Sequence, residues 1–199
     1  MKFYHLTVFT LFLSSCAIFQ TKVNSDSTNS ASGFQYHFPR TGDWFVSQSV
    51  PGNIVIGKKS DNDGQSLIAS VKSGPIGVIK AELDEFNKTG KRIKANSESD
   101  IIESFRKNIE RDAKLGRVKN IQTKFSEKKY DLGRCLLFSQ TGEDTGALPI
   151  SNDGQWCFNS RTYSYIMLNI SARMPTGKKL PDLTSEKSEF FDSLVFTEK

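Results

Sequence analysis

The chain has 199 residues, of which 37% are hydrophobic and 25% are charged, and its formal net charge is +5. This composition is typical of a globular protein and excludes fibrous and intrinsically disordered classes, and the length suits one domain with a sizeable core. The basic excess is mild and scattered, and the sequence has no aromatic–basic RNA motif. Nucleic acid is therefore not an expected partner.

The amino terminus has the pattern of an export signal. Lys2 precedes a mostly apolar run, Leu6 to Leu13, which is too short to span a bilayer as a helix. The run ends in Leu13-Ser14-Ser15-Cys16, an aliphatic residue and two small residues before a cysteine. This motif resembles the lipobox of bacterial lipoproteins. The resemblance implies that residues 1–15 are a signal peptide and that Cys16 becomes the lipidated first residue.

A location follows from the lipobox resemblance. Acylated Cys16 would anchor a mature chain of 184 residues, with a charge of +4, in the bacterial cell envelope. In that family an Asp after the cysteine retains the protein in the inner membrane. Ala17 stands there instead, which implies the outer membrane, facing the periplasm. The alternatives are an ordinary secretory signal with a chance cysteine and an uncleaved N-terminal membrane anchor.

Two further cysteines, Cys135 and Cys157, remain after Cys16. In an oxidising envelope an even pair predicts a structural disulfide. Two buried free thiols or a redox pair are the alternatives, although the spacing is not the CxxC motif of redox proteins.

The region after Cys16 divides into a tether and one domain. Residues 16–33 are rich in Ser, Asn and Thr, which predicts a flexible tether. The domain, residues 34–199, begins with alternating Phe34, Tyr36 and Phe38, a strand pattern. A second strand starts at Trp44, and residues 54–59 and 67–72 form a predicted hairpin around Asp61-Asn62-Asp63-Gly64.

Helices are predicted next. Ile79, Leu83 and Phe86 recur at helical spacing, and a longer amphipathic helix is expected from Ser99 to Leu115, capped by Ser97 or Ser99. Strands at 118–126 and 134–141 follow, then a polar loop over residues 141–154. A strongly β-prone run at 163–172 and a last helix at 184–191, capped by Thr184, complete the domain.

Segregated blocks of strands and helices predict an α+β domain with a largely antiparallel sheet covered by helices. The hairpin FQYHFP…DWF, the central amphipathic helix, the Gly133-Arg134-Cys135 and Gln155-Trp156-Cys157 segments and the closing EFFDSLVF resemble PsbP-like envelope lipoproteins. The resemblance implies a PsbP-like α/β/α sandwich over residues 34–196 and a binding or assembly role. It supplies no catalytic residues.

The sequence offers little catalytic chemistry. His37 is the one histidine of the mature chain, on the polar face of a strand, and no GxSxG or HExxH motif occurs. The Asp61–Gly64 segment does not fit a calcium loop. The carboxylates Glu143, Asp144 and Asp153 form the only other acidic group, and solvated loop acids are the expected interpretation. We predict no catalytic site, cofactor or metal.

Two surface features could bind a partner. The basic run of Lys88, Lys91, Arg92 and Lys94 is interpreted as a solvated linker, and lipid phosphates or acidic glycans are the alternative ligands. Four aromatic residues are candidates for a ligand groove, with core packing as the default: Trp44, Trp156, Tyr163 and Tyr165.

The expected function is a non-catalytic, membrane-anchored envelope lipoprotein that binds a partner protein or a cell-wall component. The alternatives are a lipid- or glycan-modifying hydrolase using His37 with the loop carboxylates, two of which could form a glycosidase-type pair, and a carrier of a small apolar ligand.

Overall fold

The structure is a computed structural model that describes residues 21–58, 65–76, 97–115 and 118–199. The described part of the chain forms ten strands and two helices. The strands are β1 Asn29–Ala31, β2 Phe34–Tyr36, β3 Trp44–Val50, β4 Asn53–Lys58, β5 Ser66–Pro75, β6 Lys119–Tyr130, β7 Gly133–Asp144, β8 Leu148–Asn159, β9 Ser164–Arg173 and β10 Val195–Phe196; the helices are α1 Glu98–Leu115 and α2 Thr184–Phe191.

Seven strands form one antiparallel sheet in the order β3-β4-β5-β9-β8-β7-β6, and the other three form a small antiparallel sheet in the order β1-β2-β10. Successive residues of a strand point to opposite faces of its sheet. The central strands β8 and β9 therefore present two sets of side chains, and each set needs its own cover.

The small sheet and α2 cover one face of the large sheet. On this face Ile166, Leu168 and Ile170 of β9 are fully buried, and they share one hydrophobic cluster with Phe34 of β2 and Phe190 of α2. Two sheets that meet across a common core form a β-sandwich.

Helix α1 covers part of the opposite face. Its start carries a reciprocal cap, in which the Asp100 N–H donates to the Ser97 hydroxyl (3.2 Å) and the Ser97 N–H donates to the Asp100 carboxylate (3.0 Å). This confirms the cap predicted at Ser97. The buried stripe of the helix packs on side chains from β7 and β8; the cluster contains Ile101, Ile102, Phe105, Ile109, Leu136, Phe138, Trp156 and Phe158.

Polar contacts fix the position of α2. The Lys58 ammonium lies 2.8 Å from the Glu186 carboxylate and 5.2 Å from the centroid of the Trp44 ring. The Thr41 hydroxyl donates to Glu189 (2.6 Å), and this hydrogen bond lowers the pKa of the Glu189 carboxyl. Leu183 is the N-cap of α2, and the Thr184 N–H donates to Asp182 instead (3.0 Å), so the predicted cap at Thr184 is wrong.

The prediction of an α+β domain with a helix-covered, PsbP-like α/β/α sandwich is wrong. Of the described residues, 52% lie in strands and 17% in helices, and two sheets form a β-sandwich. The predicted hairpins, the helix ending at Leu115 and the helix at 184–191 are present. The predicted helix around Ile79 and the turn at 61–64 lie outside the described residues.

The largest local error is the polar loop predicted over residues 141–154. Strand β7 continues to Asp144 and β8 already begins at Leu148, so the connection is only three residues long. Asn, Asp, Gly and Ser are depleted in strands, which explains the loop prediction. Strand β8 is nevertheless hydrogen-bonded to β7 and β9 on its two sides, and these ladders hold the polar segment extended.

Cys135 and Cys157 are directly opposite each other on β7 and β8, with Cα atoms 4.0 Å apart and sulfur atoms at disulfide distance. Both residues are fully buried in the sandwich core. The arrangement agrees with the disulfide that the two cysteines predict.

Loss of this bond should destabilise the domain. Replacing both cysteines, Cys135→Ser with Cys157→Ser, should lower the free energy of unfolding by about 3 kcal/mol. Without the disulfide the unfolded chain is no longer closed into a loop, so its conformational entropy rises and it becomes more favourable. Urea denaturation of oxidised wild type against the double variant measures the change. Two free thiols in the denatured, unreduced mature protein would contradict the disulfide.

The side chain of Asn159 joins three parts of the chain at the end of β8. Its amide nitrogen donates to the carbonyl oxygens of Gly33 (2.7 Å) and Thr197 (2.9 Å), and its oxygen accepts from the N–H groups of Arg161 (2.9 Å) and Thr162 (3.2 Å). Asn159 is fully buried. Its side chain therefore satisfies four backbone groups, including the buried Gly33 carbonyl, and is itself fully hydrogen-bonded.

Asn159→Leu should lower the free energy of unfolding by about 2–4 kcal/mol, because buried backbone groups lose their partners. Urea denaturation followed by circular dichroism measures the loss. Ser160→Ala is the matched control, since the Ser160 hydroxyl makes one exposed bond to the Leu132 carbonyl. Equal, small effects of the two substitutions would show that Asn159 does not join these segments.

Candidate functional site

A groove lies where α1 meets the face of the large sheet that the small sheet leaves open. It consists of two adjoining cavities of about 350 Å³ and 280 Å³. Both are lined by Asp112 of α1, Trp156 of β8 and Met167 of β9. We call these two cavities together the helix–sheet groove.

Trp156 lies at the junction of the two cavities and is held there on several sides. Phe105 of α1 and Phe138 of β7 pack edge-to-face on its ring, with centroids 5.8 Å and 6.1 Å away. Its indole N–H donates to the side-chain oxygen of Asn169 (3.2 Å). Because packing and a hydrogen bond both fix the ring, Trp156 forms a rigid wall between the cavities.

Amide side chains form the floor of the larger cavity. The Asn152 amide nitrogen donates to Gln140 (3.2 Å), whose own nitrogen donates to the Thr123 hydroxyl (3.3 Å). Both asparagines line the cavity, and these bonds leave the Asn152 oxygen and the Asn169 nitrogen available to a ligand. An acceptor and a donor on neighbouring strands β8 and β9 suit an amide or a hydroxyl group of a ligand.

The remaining walls are mostly apolar and carry few charges. Five aliphatic residues line the larger cavity: Ile109, Ala113, Val118, Ile121 and Ile150. Among the described residues, Asp112 is the only charged one that lines this cavity, while Lys72 and Arg111 also line the smaller one. Convergent polar groups among apolar walls are typical of ligand sites. The groove suits an amphipathic ligand with little charge.

The four aromatic residues that the sequence predicts as groove candidates lie in different places in the structure. Trp156 lines both cavities and Tyr165 lines the smaller one. Trp44 lies in the core on the opposite face of the sheet, 1% exposed, and its indole N–H donates to the Thr41 carbonyl (3.2 Å). Tyr163 packs edge-to-face on Phe158 and lines neither cavity.

The residues of the hydrolase alternative are also separated. The His37 ring is 3.4 Å from the Thr28 hydroxyl and 3.1 Å from the Ser27 carbonyl oxygen, so its hydrogen bonds go to no carboxylate. Asp153 pairs with Lys187 (2.9 Å).

The register also separates the three carboxylates. Asp144 and Asp153 lie on opposite faces of the sheet, since Asp153 is opposite Ser139 on β7, five residues before Asp144. Asp144 is bound by Arg173 (3.2 Å). Glu143 shares the face of Asp153 but lies about 13 Å along the strand, farther than a glycosidase pair allows.

Sequence reasoning missed the amides Gln140, Asn152 and Asn169. Because the sequence predicted a loop around Asn152, it gave no indication that this residue lies on a face of the sheet. Asn169 could have been predicted from the sequence, because Tyr165, Met167 and Asn169 alternate along β9 with the buried aliphatic residues. A polar residue on a face that also carries Tyr and Met is the signal of an incompletely covered sheet.

The remaining observations concern metal ions, the membrane and related proteins. Among the described residues no group of His, Cys, Asp or Glu could hold a metal ion, and neither described helix is long and apolar enough to cross a membrane. Cys16 and the basic run at 88–94 lie outside the part of the chain that the structure describes. The sequence matched no known protein family and no curated protein.

Gly154 shapes the floor of the groove between Asn152 and Trp156. A Cβ atom at this position would overlap the Phe138 ring and the Asn169 side-chain oxygen. Gly154→Ala should therefore lower the free energy of unfolding by about 1–3 kcal/mol and displace Phe138. Near-ultraviolet circular dichroism reports the change around Trp156, and urea denaturation reports the stability.

Gly57→Ala, in β4, is the control for Gly154→Ala because its Cβ would make only an ordinary 3.5 Å contact with the Leu67 carbonyl oxygen. Equal stabilities of the two alanine variants would show that the groove floor is not closely packed.

Proposed function

We propose that this chain is a membrane-anchored envelope lipoprotein that binds an envelope component in the helix–sheet groove without catalysing a reaction. The location rests on the lipobox Leu13-Ser14-Ser15-Cys16. Lipidated Cys16 would hold the domain at the outer membrane, facing the periplasm. The binding role rests on the groove itself, where the amide groups of Asn152 and Asn169 line a cavity with mostly apolar walls.

Asn152 and Asn169 carry the binding proposal. They lie on the adjacent strands β8 and β9 next to Gly154, whose missing side chain lets Phe138 and Asn169 pack closely over the sheet. Their bonds to Gln140 and Trp156 fix both amides before any ligand arrives. A preorganised donor and acceptor bind a ligand at a lower entropic cost than mobile side chains do. An uncharged sugar or peptide segment fits this chemistry.

The hydrolase alternative receives no support from the geometry. His37 hydrogen-bonds to a hydroxyl and a carbonyl, while Asp144 and Asp153 pair with cations. A general base needs an orienting partner and a nucleophile within hydrogen-bond reach.

A carrier of a small apolar ligand is a second candidate, favoured by the aliphatic walls. The larger cavity of about 350 Å³ falls within the range of small-molecule sites. Native mass spectrometry of the mature protein distinguishes the two roles, because a carrier should retain its ligand through purification.

The binding proposal is tested by photocrosslinking in cells that make the full chain. A photoreactive amino acid at Asp112, on the rim of the groove, should give one defined adduct with a glycan, peptide or protein of the envelope. The same photoreactive amino acid at Glu110 is the matched control. Glu110 is also exposed on α1, but it lies about 200° around the helix from Asp112 and so points away from the groove.

The adduct at Asp112 should fall several-fold when Asn152→Leu removes the polar floor. Equal adducts at both positions, or an adduct that Asn152→Leu does not change, would count against binding in the groove. Mass analysis of the N-terminal peptide tests the anchor separately. An unacylated Cys16 would refute the lipoprotein assignment but would not bear on ligand binding in the groove.

A further inference from the structure

The segment that follows the proposed anchor is part of the sheet edge. The Val46 N–H donates to the Thr21 carbonyl and the Val23 N–H donates to the Trp44 carbonyl, both at 2.8 Å, around an antiparallel bridge between Lys22 and Phe45. The remainder of residues 24–31 is also held in the domain, since the Ser25 hydroxyl donates to the Pro39 carbonyl (2.9 Å) and Asn29–Ala31 forms β1. Most of the expected tether of residues 16–33 therefore belongs to the fold.

This attachment shortens the connection to the membrane. Four residues lie between Cys16 and Thr21, and the five fully extended steps that join the two span at most about 18 Å. A free tether of residues 16–33 would have let the domain turn in any direction. The short connection instead keeps the β3 edge of the sheet close to the lipid.

The pairing also gives the direction of the connection. Residues 21–23 are antiparallel to β3, so the chain at Thr21 enters the pairing on the side of the Val50 end of that strand and runs toward Trp44. The distance from Val46 to Val50 along β3 is about 13 Å. Cys16 can thus reach the level of the β3–β4 hairpin tip and little beyond it.

The β3–β4 hairpin has the chemistry of a membrane-facing surface. None of the 14 residues from Trp44 to Gly57 is charged. Val50, beside the Pro51-Gly52 turn, is 47% exposed, one of few large hydrophobic side chains exposed in the described part of the chain. Placing this tip among lipid head groups buries apolar surface and desolvates no charge.

Lys72 adds a cation at the same end of the sheet. It is exposed on β5, directly opposite Asn53 of the hairpin. A lysine beside an uncharged, partly apolar tip is attracted to anionic head groups.

We propose that the tip of the β3–β4 hairpin, residues 49–53, rests on the surface of the bilayer that carries the anchor. This rests on the proposed function, since it requires a lipid on Cys16. The short connection sets the orientation, and Val50 with Lys72 makes the contact.

A photoreactive amino acid at Val50 of the full chain, made in cells, tests the contact. Mass spectrometry should find lipid adducts at position 50 several-fold more often than at Thr145, the control. Register across β4, β5, β9, β8 and β7 places Val50 level with Leu136, and Thr145 lies about 30 Å farther along the strands.

A second variant tests the short connection. A flexible Gly/Ser insertion of about twenty residues after Ala17 frees the domain from its anchor while leaving the lipobox intact. It should reduce the lipid adducts at position 50 to the level seen at Thr145. Undiminished adducts in this variant would overturn the role of the connection.

The outcomes separate the two proposals. Mass analysis of the N-terminal peptide reports acylation in the same samples. An acylated chain with equal lipid adducts at positions 50 and 145, or with protein adducts in place of lipid at position 50, would overturn the orientation alone. An unacylated chain would overturn both the orientation and the lipoprotein assignment.

Discussion

The structure depends on burying both faces of the two central strands, β8 and β9. Their side chains alternate between the faces, so neither face can be left to water without exposing a row of large apolar groups. The small sheet and α2 cover one face, and α1 covers part of the other. Segments from opposite ends of the described chain contribute to this cover, because β1 and β2 pair with β10 in the small sheet.

The groove is a consequence of partial cover on the α1 face. The helix buries Leu136 and Phe158, toward one end of the sheet, with the apolar stripe that begins at Ile101. Farther along the same face the chain places Gln140 and Asn152, whose amides bond to each other and line the larger cavity. Polar residues thus stand where the helix stops covering the sheet.

The two edges of the large sheet are treated differently. At the β3 edge, residues 21–23 add a short paired segment. At the other edge, β6 carries Lys119, Lys124, Lys128 and Lys129, and such lysines oppose pairing with another strand. The larger cavity of the groove lies on strands β6 to β9, away from the β3 edge, while Lys72 and Pro75 of β5 line the smaller one. Membrane attachment at the β3–β4 hairpin would therefore leave the larger cavity accessible.

The sequence by itself determined the elements whose signal is local. Alternation at Phe34 and Tyr36 and the helical stripe of α1 with its Ser97 cap needed only neighbouring residues to be recognised, while the disulfide was predicted from the even number of cysteines and the expected compartment. The export signal and lipobox are also local, and they remain predictions.

The tertiary structure decided what depends on partners distant in the chain. The polar segment around Asn152 is a strand because β7 and β9 flank it, and Trp44 is core rather than groove because register sends it to the other face.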